Sequence, residues 1–122
     1  MVGVLIDRAE FEDLVEEALR RLPGRFAKLL DNVAVIVEDE PTDDDLDVLD
    51  DDGGELLGIY RGIPLTSRHY DMLPLMPDRI AIFRGPILRV TRGRADAVRQ
   101  IRETVIHELG HYFGLSDDDM AY

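Results

Sequence analysis

His107, Glu108 and His111 are the residues of this chain whose types and spacing could do chemistry. They stand in the run His107-Glu108-Leu109-Gly110-His111, followed by Gly114 and Asp117, so the stretch reads HExxHxxGxxD. On a helix, positions four apart lie about 40° apart around the axis and one turn along, so both imidazoles project from one face and can converge on one ion. Neutral imidazole and carboxylate form a tetrahedral ligand set that suits Zn2+. Gly114 lets the chain turn sharply after the helix, and Asp117 then lies close enough to swing back as the third ligand. The fourth position is left for a water, whose pKa zinc lowers to roughly 7. Glu108 is not a ligand in this scheme. It takes the proton from that water and later delivers it to the leaving amine. The plain alternative is two exposed histidines on a solvated helix face, and the following Gly and Asp at fitting distances weigh against it.

The element that must hold these residues is the last helix, predicted to open near Arg94. Its core stripe is Val98, Ile101, Val105, Leu109 and Tyr112 or Phe113, and Gly114 is a candidate C-terminal cap. Relative to Val98, Val105 and Leu109 fall on the same side, His107 and His111 point away, and Glu108 sits beside the pair. Upstream, Asp7 and Glu10 form a helix start, with Ile6 placed to pack on Phe11. Phe11, Leu14, Val15, Ala18, Leu19 and Leu22 keep the helical period until Pro23-Gly24. A shorter helix is expected over Arg25–Asp31, with Phe26, Leu29 and Leu30 inward. Strands are expected at Val33–Val37, Leu56–Arg61 and Arg79–Arg84. Gly62–Asp78 carries three prolines and reads as a long loop. The order is α-α-β-β-β-α in a single α+β domain, 1–122.

Charge is placed unevenly. The net charge is −12, and residues 1–55 hold 18 acids against 5 bases. Eleven of those acids fall in Glu38–Glu55, which reads as a mobile, solvated loop. It does not fit a calcium loop, because Val48 and Leu49 stand where the first carboxylate ligand belongs. Seven arginines cluster in Arg79–Arg102 with Asp96 as the single acid. A strongly acidic whole repels phosphate, so these arginines are read as partners of the acidic first half and no nucleic-acid partner is expected. There is no cysteine, which excludes disulfides and thiol chemistry. No signal peptide or transmembrane run is legible, so a cytoplasmic protein with no membrane partner is expected.

The sequence resembles the small bacterial zincin-like metallopeptidase family marked by HExxHxxGxxD near the C-terminus. The likeness extends to the opening amphipathic helix, the acidic loop, Leu57-Gly58-Ile59-Tyr60-Arg61-Gly62-Ile63-Pro64-Leu65-Thr66, and Leu73-Pro74 through Arg84-Gly85-Pro86. It implies a minimal zincin fold, with helices packed on a small mixed sheet and the active-site helix crossing beneath. His107, His111 and Asp117 match that family's ligand positions and Glu108 its catalytic Glu. Met120 is the sole candidate for a Met turn of the kind larger relatives carry, and local packing is the simpler expectation for it.

The function expected is therefore a zinc-dependent hydrolase acting on a peptide or protein substrate. An edge strand, either Gly58–Arg61 or Ile80–Arg84, could hold extended peptide by main-chain pairing. Tyr60, Tyr70, His69 and Tyr112 are candidate second donors to an oxyanion, though His69 reads more simply as an exposed loop residue. If the acidic loop borders the cleft, basic peptides are favoured. The alternative is a non-catalytic metal-binding interaction module that keeps the same fold.

Overall fold

The computed structural model describes residues 6–47, 54–62 and 78–113. Helix α1 spans Arg8–Arg20 and is capped by Asp7, whose carboxylate accepts the Glu10 amide at 2.8 Å. The Glu10 side chain pairs with Arg94 instead of turning back to Asp7. Ile6 and Phe11 are both buried, and Leu14, Val15 and Ala18 continue the buried stripe. Helix α2 (Gly24–Leu29) starts directly on Pro23, and Leu30–Asn32 tighten into a 3-10 turn before strand β1 (Val33–Glu38).

Two short helices were not expected. Helix α3 (Asp43–Asp47) lies inside the acidic stretch read as mobile. Thr42 and Asp45 cap it reciprocally, Thr42 N donating to Asp45 Oδ2 at 2.8 Å and Asp45 N donating to Thr42 Oγ1 at 3.2 Å. Asp45 is buried and also accepts Arg61 at 2.9 Å, while Arg61 forks onto Glu38 at 2.6 and 2.9 Å. Residues 48–53 lie outside the described residues. Strand β2 is Gly58–Arg61 and β3 is Asp78–Phe83. Helix α4 (Arg84–Val90) follows β3 without a loop, with Pro86 in its first turn, where a missing amide costs nothing. Helix α5 runs from Arg94 to Tyr112.

The fold is α+β with a small mixed sheet. Among the described strands the order is β1-β3-β2, with β1 parallel and β2 antiparallel to the central β3. Val35 aligns with Ile80 and Val37 with Ile82, while Tyr60 stands opposite Ile80 and Ile59 opposite Ala81. By alternation, Val33, Val35, Val37, Ile80, Ile82, Gly58 and Tyr60 share one face. That face packs on α1 and α5 through a core that includes Phe11, Phe26, Ile101, Val105 and Leu109. Glu38, Arg61, Ala81 and Phe83 share the opposite face, which is where Arg61 ties α3 down. The arginines after β2 follow the charge map. Arg84 pairs with Asp39, Arg89 with Glu40 and Glu55, and Arg94 with Glu10, whereas Arg99 binds Asp96 and Glu103 on its own helix.

Candidate metal centre

Helix α5 sets every described residue of the site. Val98, Ile101, Val105 and Leu109 are buried, so the stripe expected from the sequence is the face that packs. His107 and His111 are exposed on the side away from it. Their rings lie with centroids 6.2 Å apart and planes 29° apart, one turn from each other along the helix. Glu108 lies between this exposed side and the sheet.

A second row on α5 decides where Glu108 points. Thr104, Glu108 and Tyr112 are spaced four apart and form a ridge against β2. A helix rises about 6 Å over four residues, close to the roughly 6.6 Å that a strand advances over two. The ridge therefore meets alternate residues of β2. Thr104 lies against Gly58, where a Cβ would stand 2.8 Å from Thr104 Cγ2 and 2.9 Å from the Ala81 carbonyl oxygen. Glu108 Oε1 accepts the Tyr60 amide at 2.8 Å. The Tyr112 ring stacks on Tyr60 with centroids 4.1 Å apart and planes 14° apart. Glycine at position 58 is what allows this close approach.

The Tyr60 amide is available because of the pairing register. Phe83 N donates to the Leu57 carbonyl at 2.9 Å, so the main-chain groups of Leu57, Ile59 and Arg61 face β3 and those of Gly58 and Tyr60 face outward. Of the two strands proposed from sequence as a peptide-holding edge, β2 is at an edge and β3 is central among the described strands. The HExxH helix thus lies along the outer edge of β2 among the described strands.

Burial raises the Glu108 carboxyl above the usual carboxylate range, against the opposing pull of the Tyr60 amide and the lesser pulls of His111 and His107. A carboxyl whose proton is held more tightly is a stronger base once ionised. Burial likewise pushes the Tyr60 phenol up, with its hydrogen bond to Asp78 adding to the effect. That hydroxyl donates to Asp78 Oδ2 at 2.9 Å, so the Tyr60 side chain, proposed from sequence as an oxyanion donor, is committed within the fold. Asp117, Gly114, His69, Tyr70 and Met120 lie outside the described residues. Among the described residues no third His, Asp or Glu joins His107 and His111 in a cluster that could hold a metal ion. The described part of the acidic stretch contributes nothing here, because Arg61 anchors it to the other face of the sheet.

His107, Glu108 and His111 share one helix, as their spacing predicts, whereas the partners of Glu108 were not expected from the sequence. The signal was present in the four-residue spacing of Thr104, Glu108 and Tyr112 against Gly58 and Tyr60. Reading it required knowing that the helix runs along that strand.

The HExxH helix therefore lies against the outer strand of a small mixed sheet among the described residues. The family described as zincin-like metallopeptidase matches residues 30–122, and the chain belongs to it. A conserved hypothetical protein of Thermus thermophilus has a similar solved structure, with a TM-score of 0.57 and 27% identity over 88% of this chain and 94% of that one. No curated protein matches the chain.

Proposed function

We propose that the chain is a zinc-dependent peptidase in which His107, His111 and Asp117 hold the metal and Glu108 moves the proton. The described donors fit, two accessible imidazoles one helical turn apart, and the sequence supplies Asp117 as the third. When bound, zinc supplies the Lewis acidity that polarises a peptide carbonyl and makes water nucleophilic near neutral pH. The rest of the chemistry belongs to this chain. Glu108 keeps one carboxylate oxygen on the Tyr60 amide, which fixes its plane and leaves the other oxygen to accept a proton and return it to the leaving nitrogen. With the Tyr60 amide held by Glu108, the outward main-chain groups of Gly58 and the Tyr60 carbonyl are what β2 offers an extended substrate to pair with beside that carboxylate.

The observation that carries this reading is the placement of Glu108, half-buried between two exposed histidines and an edge-strand amide. The test is turnover of a peptide library by the zinc-loaded protein and by Glu108→Gln. Gln keeps an acceptor for the Tyr60 amide and loses the base, so turnover should vanish while metal content and fold remain. Undiminished turnover in that variant would remove Glu108 from the mechanism.

One observation favours the alternative of a non-catalytic metal-binding module. The bond from Tyr60 to Glu108 is itself a latch between α5 and β2. On that reading chelation lowers the melting temperature strongly, no peptide is cleaved at any pH, and Glu108→Gln is silent. Localisation is proposed as cytoplasmic. Among the described residues no helix is long and apolar enough to cross a membrane.

A further inference from the structure

Among the described strands the sheet has a second outer edge, β1, on the side away from the histidines. Strand β1 pairs only with β3 among the described residues. The register places the main-chain groups of Ala34 and Ile36 toward β3 and those of Val33, Val35 and Val37 outward. The Arg8 guanidinium donates to the outward Val37 carbonyl and so closes one end of this edge. Beside the rest of it runs an open groove of about 670 Å³ between β1 and α1. Its floor is apolar, from Val15, Leu19 and Val35, and its helix wall carries Glu12, Asp13 and Glu16. An apolar floor, an acidic wall and a row of outward backbone donors and acceptors are the parts of a strand-addition site.

We propose that this groove binds a basic, extended polypeptide segment, which adds to β1 as a fourth strand. The occupant follows from charge and spacing. The wall holds three carboxylates, and the single cation among the described lining residues, Arg8, is engaged by Glu12, Asp39 and the Val37 carbonyl. Glu12 and Glu16 stand about 6 Å apart along the helix. Alternate side chains of an added strand stand about 6.6 Å apart on one face, so arginine or lysine at every second position matches the spacing of Glu16 and Glu12, the latter shared with Arg8 at 3.6 Å. A second copy of this chain fits poorly, because joining two β1 edges would bring two acidic helix walls together. The inference is independent of the metal reading.

The test is fluorescence anisotropy of a labelled peptide alternating Arg and Val, measured with chelator present so that the metal site is silent. The expected result is saturable binding that is absent for the matching Glu-Val peptide. Binding should weaken by about tenfold or more when Glu12→Lys and Glu16→Lys are combined. Val35→Pro removes an outward amide while leaving the β1–β3 ladder intact, and should abolish binding, whereas His111→Ala should not change it. Methylating alternate amides of the peptide should also abolish binding, a control that leaves the protein untouched. No saturable binding by the unmodified protein, equal affinity for the methylated peptide, or a dimer that Val35→Pro dissolves would each overturn the proposal.

Discussion

Gly58→Ala should loosen the contact that orients Glu108. The added methyl would stand 2.8 Å from Thr104 Cγ2, 2.9 Å from the Ala81 carbonyl oxygen and 3.2 Å from Ile82 Cδ1. The Ile82 contact can yield by a rotamer change, but the Ala81 oxygen is backbone in the central strand. Either α5 or β2 must therefore move. Forcing a methyl into a packed site costs about 1–3 kcal/mol, and removing the glycine's freedom in the unfolded chain returns about 0.4–1 kcal/mol. The net loss is about 1–2 kcal/mol, which for a domain of this size lowers the melting temperature by roughly 4–8 °C. Urea unfolding of metal-free protein measures it without any assumption about activity. Thr104→Ser deletes the clashing methyl and keeps the hydroxyl that bonds the Gln100 carbonyl at 2.8 Å. The two substitutions should therefore couple, with Thr104→Ser recovering about 0.5–1 kcal/mol of the loss. A neutral Gly58→Ala, or strict additivity with Thr104→Ser, would refute the claim that position 58 sets the spacing between helix and strand.

Other outcomes follow from the same contacts. Burial acts to raise the Asp45 carboxyl, but the Thr42 amide, the Thr42 hydroxyl and Arg61 outweigh it and hold the carboxyl below its ordinary 3.8. Its contribution to stability is thus complete above that value and lost as pH falls through the lower folded-state value. Asp45→Asn should cost about 1–3 kcal/mol at pH 7 and flatten the acid limb of the stability curve, as read by urea unfolding at pH 7 and pH 3. Tyr60→Phe removes the bond to Asp78 but keeps the ring on Tyr112, costing about 0.5–1.5 kcal/mol; Tyr60→Leu should cost about as much again through the lost stack. Thermal unfolding of the pair separates the two effects. Thr42→Ala should destabilise α3 by about 1 kcal/mol, visible as faster amide exchange over Asp43–Asp47.

The last helix was legible in detail because its stripe of Val98, Ile101, Val105 and Leu109 repeats without interruption, and the same periodicity places His107 and His111 outside it. The opening helix was legible for the same reason. The short helices were not. Asp43–Asp47 is obscured by an acid content that signals disorder, although Thr42 and Asp45 carry a capping pattern whose stability depends on Arg61, far away in the sequence. Arg84–Val90 is obscured by Gly85-Pro86, which looks like a break but occupies a first turn that needs no amide. Sheet order was illegible as well. Strands β2 and β3 are both short, and only the pairing of β3 with both β1 and β2 makes β3 central and turns the Tyr60 amide outward. The role of Gly58 is likewise tertiary: nothing local separates a glycine that admits a helix from one that ends a strand.

The zinc site is proposed on the exposed face of α5. It is tested most directly by elemental analysis of the purified protein beside His111→Ala prepared identically, with zinc offered to both. The unmodified protein should hold one zinc per chain and the variant none. No zinc in either, or equal zinc in both, would contradict the proposal.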